Sequence, residues 1–305
     1  MDKIVIGAKK AVNKVIYGVS KLFRNFNKRI RGVRKSKNIY PIKGRKENNF
    51  QVCYPVKLYK EKKLPIIFYF HGGGWMEFDK YYYSTFCKRL AKMGYIVCNV
   101  NYSLAPKSNL KEIIENCIEI IIKAKEYLEY TYNADSLRII LSGDSAGAHI
   151  SSLIAGLASS EKLSTVFPHY SNEDLKIAQT LLFYGVYNLQ SAKTSGFPSI
   201  ELYLRACLQN NYDDESVNKE LSPVSYISKN YPRTFIVSGE VDKLHESQSK
   251  AFYEKLKEAN AEVECLFFSR DTKTGMHGFI AFDDFKANEK TRIEIERFLN
   301  VNSEG

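Results

Sequence analysis

From residue 50 onward two kinds of pattern take turns along the chain. Short, nearly unbroken apolar runs, rich in β-branched and aromatic residues, recur at LPIIFYFH (64–71), YIVCNVNY (95–102), LRIILSG (137–143), IAQTLLFYG (177–185), RTFIVSG (233–239) and EVECLFF (262–268). Runs of that length predict strands buried on both faces. Between them, apolar residues spaced by three and four predict helices over 82–93, 110–132, 145–159, 246–260 and about 287–300. FQVCYPVKLY (50–59) alternates instead, as a half-exposed strand does, and Pro55 within it predicts a sheet edge. Strands alternating with helices need crossover connections. The expectation is an α/β fold with a mostly parallel central sheet and helices on both faces.

Two stretches interrupt the alternation. One is the connection at about 186–230, with a short helix expected near PSIELYLRAC. The other is the N-terminus, where Ile4, Ala8, Ala11, Val15, Val19, Leu22, Phe26, Ile30 and Val33 fall on one helical stripe and lysines and arginines on the other. The predicted organisation is a basic amphipathic helical segment over 1–38, followed by a catalytic domain over 39–305 that carries a cap insertion at about 186–230.

Charge sharpens that division. The formal net charge of +11 conceals an asymmetry: residues 1–46 hold 15 Lys and Arg against the single acid Asp2, and the remainder holds 30 against 33 acids. A near-neutral body thus carries a basic segment. Such a helix packs its apolar face on the protein, lies on an anionic membrane surface, or binds nucleic acid. The last reading lacks an aromatic platform or reading motif, so no nucleic-acid partner is expected. With 44% apolar and 26% charged residues the composition is that of a globular protein. No stretch of eighteen apolar residues and no secretory leader is found, and the six cysteines lack metal-ligand spacing. The expectation is a cytoplasmic chain with neither metal nor cofactor, peripheral at the inner membrane surface if the basic helix lies on lipid.

The chemistry is concentrated in LSGDSAGAHI (141–150). Gly143-Asp144-Ser145-Ala146-Gly147 is a G-x-S-x-G pentapeptide that directly follows a predicted strand and directly opens a predicted helix. That context marks a nucleophile elbow, a sharp turn that exposes the serine hydroxyl. Serine needs a base, and the base needs an orienting acid, expected in the chain order Ser, Asp or Glu, His. Of the five histidines, His277 in TGMHGF lies between the last strand and the last helix, where the base belongs. Asp242, just beyond the strand RTFIVSG, is the expected acid; Asp271 and Glu240 are the alternatives. The expected set is Ser145, Asp242 and His277. An attacked carbonyl also needs backbone N–H donors for its oxyanion, one of them from Ala146, the residue after the nucleophile. HGGG at 71–74, after a buried strand, suits backbone donation, since side chains there would obstruct the ligand. It matches no phosphate-loop pattern.

HGGGW (71–75), NYSLAP (101–106), GDSAG (143–147) and SGEVDKL followed by MHGF together resemble the hormone-sensitive-lipase-like esterase and lipase family of α/β-hydrolases, over about residues 65–300. The resemblance implies oxyanion donors at Gly73, Gly74 and Ala146, and a His71 that shapes the loop without taking protons. It implies a cap built from residues 1–38 and about 186–230. The chain departs from the family at Ser103 and Lys107, where an arginine and a glutamate are usual, and at Ala148, where glycine is common. The implied activity is serine carboxylester hydrolysis through an acyl-enzyme, on short- to medium-chain acyl esters. Amide or peptide hydrolysis on the same triad, or ligand binding without catalysis, are the alternatives.

Overall fold

The computed structural model describes residues 28–272, 274–282 and 285–300. Eight strands form one sheet: β1 (Val33–Lys35), β2 (Asn49–Pro55), β3 (Leu64–Phe70), β4 (Ile96–Asn101), β5 (Ala134–Asp144), β6 (Ile177–Phe183), β7 (Arg233–Gly239) and β8 (Val263–Phe268), in the order β1-β2-β4-β3-β5-β6-β7-β8. From β4 to β8 every pairing is parallel; β1 and β2 pair antiparallel at one side. The principal helices are α1 (Ser84–Lys92), α2 (Leu110–Tyr132), α3 (Ala146–Ser159), α4 (Ile200–Leu208), α5 (Ala251–Glu258) and α6 (Phe285–Asn300).

The continuous apolar runs are explained by two cores. Successive side chains of a strand point to opposite faces. Ile66, Phe68 and Phe70 of β3 therefore join one cluster with Ile114, Ile118 and Ile121 of α2 and Ile150 and Leu153 of α3. Ile67 and Tyr69 join the other with Leu90 of α1 and Ile295 and Phe298 of α6. α2 starts where Asn109 and Glu112 form a reciprocal capping box, and stops at Asn133 in the left-handed conformation.

Three expectations are corrected. Of the basic segment assigned to a helix over 1–38, residues 1–27 lie outside the described residues, but Val33–Lys35 form strand β1 and not helix. Pairing with Cys53–Pro55 outweighs the local helical spacing there. Consequently β2 is not the edge, although Pro55 still falls where its ladder ends, opposite Val33. The 246–260 helix likewise begins with a wider π turn at His245–Lys250 before α5.

Parallel strands bring their carboxyl ends to one side. Phe70 of β3 is in register with Gly143 of β5, and Asp144 with Phe183 of β6. The loops after β3, β5, β7 and β8 therefore meet at one crevice, the usual ligand position on an open parallel sheet. Residues 186–230, between β6 and β7, fold into short helices including α4, whose Tyr203 ring lies against Gly74 after β3. Among the described residues no helix is long and apolar enough to cross a membrane.

Candidate active site

Ser145 stands between β5 and α3 with φ 52° and ψ −116°. A non-glycine residue at positive φ is strained by roughly 1–3 kcal/mol. The strain is held by surrounding contacts: Ser145 N–H donates to the Phe183 carbonyl (2.9 Å), and its carbonyl accepts from His149 N–H (3.1 Å) in the first turn of α3. The turn is this tight because Gly147 lies against the Phe70 and His71 carbonyl oxygens, where a Cβ would overlap them.

The three sequence-predicted residues come together. The Ser145 hydroxyl donates to His277 Nε2 at 3.0 Å, and His277 Nδ1–H donates to Asp242 Oδ2 at 2.7 Å. Asp242 keeps its other oxygen on Leu244 N–H (2.9 Å), and its side chain is fully buried. The imidazole stays partly open and is flanked by Tyr184 (ring centroids 4.9 Å) and Phe197 (4.5 Å). The alternative acids lie elsewhere: Glu240 accepts from Arg270 N–H, and Asp271 is exposed in a short turn.

On the other side of Ser145 is the glycine loop. Gly73 and Gly74 have φ of 114° and 60°, and a Cβ on Gly74 would overlap the Tyr203 ring. Their N–H groups and that of Ala146 donate to no other described residue. All three residues line one cavity with Ser145 and His277. The loop is braced from behind. Trp75 Nε1–H donates to His149 Nδ1 (3.3 Å), while His149 Nε2–H donates to the Leu221 carbonyl (2.8 Å). His71 is buried, donates Nδ1–H to the Gly72 carbonyl (2.7 Å) and stacks on Tyr102 (4.4 Å). Burial pushes His71 and His149 down to about 4, so both are neutral props at ordinary pH.

Ser103, where the family resemblance leads one to expect an arginine, is held by a chain of hydrogen bonds from other segments. Arg45 donates to Asn116 Oδ1, Asn116 Nδ2–H donates to Ser103 Oγ (2.8 Å), and Ser103 N–H donates to Asn48 Oδ1 (2.7 Å). The sequence offers no local cue for this, since the partners are 13 to 71 residues apart.

The cavity measures about 120 Å³. Beyond the residues above, Val186, Phe197, Ile200, Tyr203 and Leu244 make its walls apolar. The aromatic run YYYSTF (81–86) divides between the cavity and the core. Of these, Tyr83 lines the cavity and Phe86 packs in the core against Tyr69 and Phe183. The walls from 197–203 belong to the connection expected to form a cap, but which of its side chains face Ser145 is decided only by the fold of the β6–β7 connection. Among the described residues no cluster of His, Cys, Asp and Glu has a metal-binding arrangement.

A parallel sheet with helices on both faces, and a strained serine on a strand-to-helix turn beside a histidine and a carboxylate, define an α/β-hydrolase fold. The BD-FAE family model matches residues 54–256, and the chain belongs to that family. It is similar to Esterase LipQ of Mycobacterium tuberculosis, 27% identical over 221 residues, which cover 72% of this chain and 52% of that one. It is also similar to the probable carboxylic ester hydrolase LipM of the same organism, 25% identical over 239 residues, 77% of this chain and 54% of that one. The chain thus spans about half the length of these curated relatives. Among solved structures, Esterase B of Lactobacillus rhamnosis matches with a TM-score of 0.84 at 18% identity, over 98% of this chain and 96% of that one.

Proposed function

We propose that this chain is a serine carboxylester hydrolase acting on small, uncharged esters with short acyl groups. The observation that carries the reading is the continuous relay from the Ser145 hydroxyl through His277 to the buried Asp242 carboxylate, at 3.0 and 2.7 Å. In the proposed reaction Ser145 Oγ attacks the ester carbonyl as His277 Nε2 takes its proton. Asp242 holds the Nδ1–H tautomer and stabilises the imidazolium. The N–H groups of Gly73, Gly74 and Ala146 receive the oxyanion, a single such donor contributing about 10²–10³ in rate. The imidazolium then protonates the departing alcohol, and water repeats the sequence on the acyl-enzyme. Esterase names among the relatives support the same reading.

The short acyl preference is inferred from cavity size. An apolar cavity of about 150 Å³ holds a benzene ring, and the space here is about 120 Å³ with apolar walls. The test is hydrolysis of chromogenic acetyl to octanoyl esters by wild type and Ser145→Ala, with fluorophosphonate labelling of Ser145. Turnover and labelling in wild type, both absent from the variant, are expected. Equal turnover by the two proteins would overturn the triad, and cleavage of anilides without esters would favour an amidase. For residues 1–38 we propose peripheral contact with anionic lipid, on the strength of their charge.

A further inference from the structure

Asp144 lines the cavity, yet the reaction above gives it no task. It is the last residue of β5, directly before Ser145, and is 2% exposed. Four donors converge on its carboxylate. Tyr69 O–H (3.0 Å) and Gly72 N–H (2.8 Å) reach Oδ1; Tyr83 O–H (3.1 Å) and, at longer range, Tyr184 O–H (3.4 Å) reach Oδ2. These groups come from β3, the start of the glycine loop, the turn before α1 and the end of β6. Tyr184 extends the connection, because its hydroxyl accepts Ile280 N–H (3.3 Å) and its ring packs edge-on against His277. One carboxylate therefore ties the nucleophile turn to the oxyanion loop and to the histidine loop.

Its electrostatic setting is as distinctive. A buried carboxylate is costly unless it is paired. Here all four donors are neutral. Burial pushes Tyr69, Tyr83, Tyr102, Tyr184 and Cys87, the ionisable neighbours that feel its charge, well above their ordinary range, so none becomes a competing anion. Burial also pushes Asp144 itself up to about 6, against the hydrogen bonds from Tyr69, Tyr83 and Gly72 and the attraction of His277. His277 is thus a cation source within its reach, and in the proposed reaction it is charged only after taking the Ser145 proton. A fixed charge aimed at a charge that develops during reaction stabilises the transition state more than the ground state.

We propose that Asp144 is a positioning residue for the reaction: ionised, it holds Gly72 N–H and with it the oxyanion loop, and it supplies a second buried negative charge that stabilises the His277 imidazolium. The proposal rests on the triad reading of Ser145, Asp242 and His277.

The test compares pH profiles of kcat/KM for an acetyl ester, from pH 4.5 to 8.5, in wild type, Asp144→Asn and Tyr69→Phe. The amide of the first variant cannot ionise, so the titration of Asp144 disappears and the imidazolium loses a favourable charge. The plateau kcat should fall tenfold or more with KM within about twofold, and the acid limb should move to lower pH. Tyr69→Phe should move the limb the other way, because a lost donor to the ionised carboxylate raises the pH at which it takes a proton. Thermal midpoints are read alongside. A part that merely holds the fold together would lower the midpoint without moving the limbs in opposite directions. Limbs coincident with wild type in both variants would overturn the proposal. If Asp144→Asn does not fold, Tyr69→Phe decides alone, and an unmoved limb overturns it. Failure of the triad reading is distinguishable, since it would appear as a Ser145 that fluorophosphonate does not label in wild type.

Discussion

Tyr203 offers a direct test of how the cavity sets acyl length. Its ring, carried by α4, lies on Gly74 and closes the space beside Ser145 together with Phe197 and Ile200. Tyr203→Ala removes a ring whose room is about that of a benzene molecule, set against the about 120 Å³ present in the wild-type cavity. Longer acyl chains then have apolar wall to occupy. Each buried methylene contributes about 0.8 kcal/mol, close to fourfold in rate when the contact is made in the transition state. Two further methylenes, from butyryl to hexanoyl, should therefore raise the ratio of kcat/KM for the longer ester over the shorter by about 15-fold relative to wild type. Acetyl turnover should change little, because its acyl group does not reach the vacated space. The assay is a chromogenic ester series from acetyl to octanoyl, with a thermal melt to show that the variant is folded. A chain-length profile parallel to that of wild type, shifted uniformly or not at all, would refute the assignment of this wall.

Other outcomes follow from the same geometry. Asp242→Asn should lower kcat by about 10³–10⁴ with the thermal midpoint nearly kept, since an amide lets His277 adopt the wrong tautomer; steady-state kinetics read this, and a loss below tenfold would point to another acid. Gly74→Ala should cut kcat by about 10²–10³ through the oxyanion donors, because the new methyl meets the Tyr203 ring at a positive-φ position; pairing it with Tyr203→Ala should restore part of the loss. His149 is pushed down to about 4 by burial, so the unfolded chain takes its proton first as pH falls. Its contribution to stability is complete above about pH 6.5 and is lost toward pH 4, at about 1.4 kcal/mol per pH unit. His71 acts in the same direction, and Asp144, pushed up to about 6, in the opposite one. Urea unfolding of His149→Gln should therefore show a shallower loss of stability between pH 6.5 and 4 than wild type, and an equal slope would contradict the assignment. Finally, deleting residues 1–27, which leaves strand β1 in place, should abolish co-sedimentation with phosphatidylserine vesicles, binding that in the full chain weakens as salt rises; salt-insensitive binding, or none, would count against the lipid contact.

Much of this protein was written locally. The strands from β3 to β8 and the helices α2 and α3 are legible because double burial demands unbroken apolar runs, and because capping and turn residues act within a few positions. GDSAG is legible for the same reason: a strand, a sharp turn and a helix are consecutive in the chain, so strain and exposure of Ser145 follow from neighbours. The separate landmarks of Asp242 and His277 were readable as loop residues after strands, since parallel strands bring such loops to one end of a sheet.

What stayed hidden depends on partners remote in sequence. Val33–Lys35 read as helix by spacing and became a strand through pairing with β2. The hydrogen-bonded chain of Arg45, Asn116 and Ser103 joins three segments that share no local signal. Tyr203 and Phe197 became cavity walls only when the β6–β7 connection folded over the glycine loop. Asp144 is the sharpest case. Its position beside the nucleophile was plain in the sequence, but the four donors that surround it arrive from separate elements. Short-range pattern determined which elements form and where Ser145 stands. Tertiary packing decided which groups lose water, and with it the charge, proton affinity and shape of the site, because burial is a property of the whole assembly of chain segments and not of any one of them.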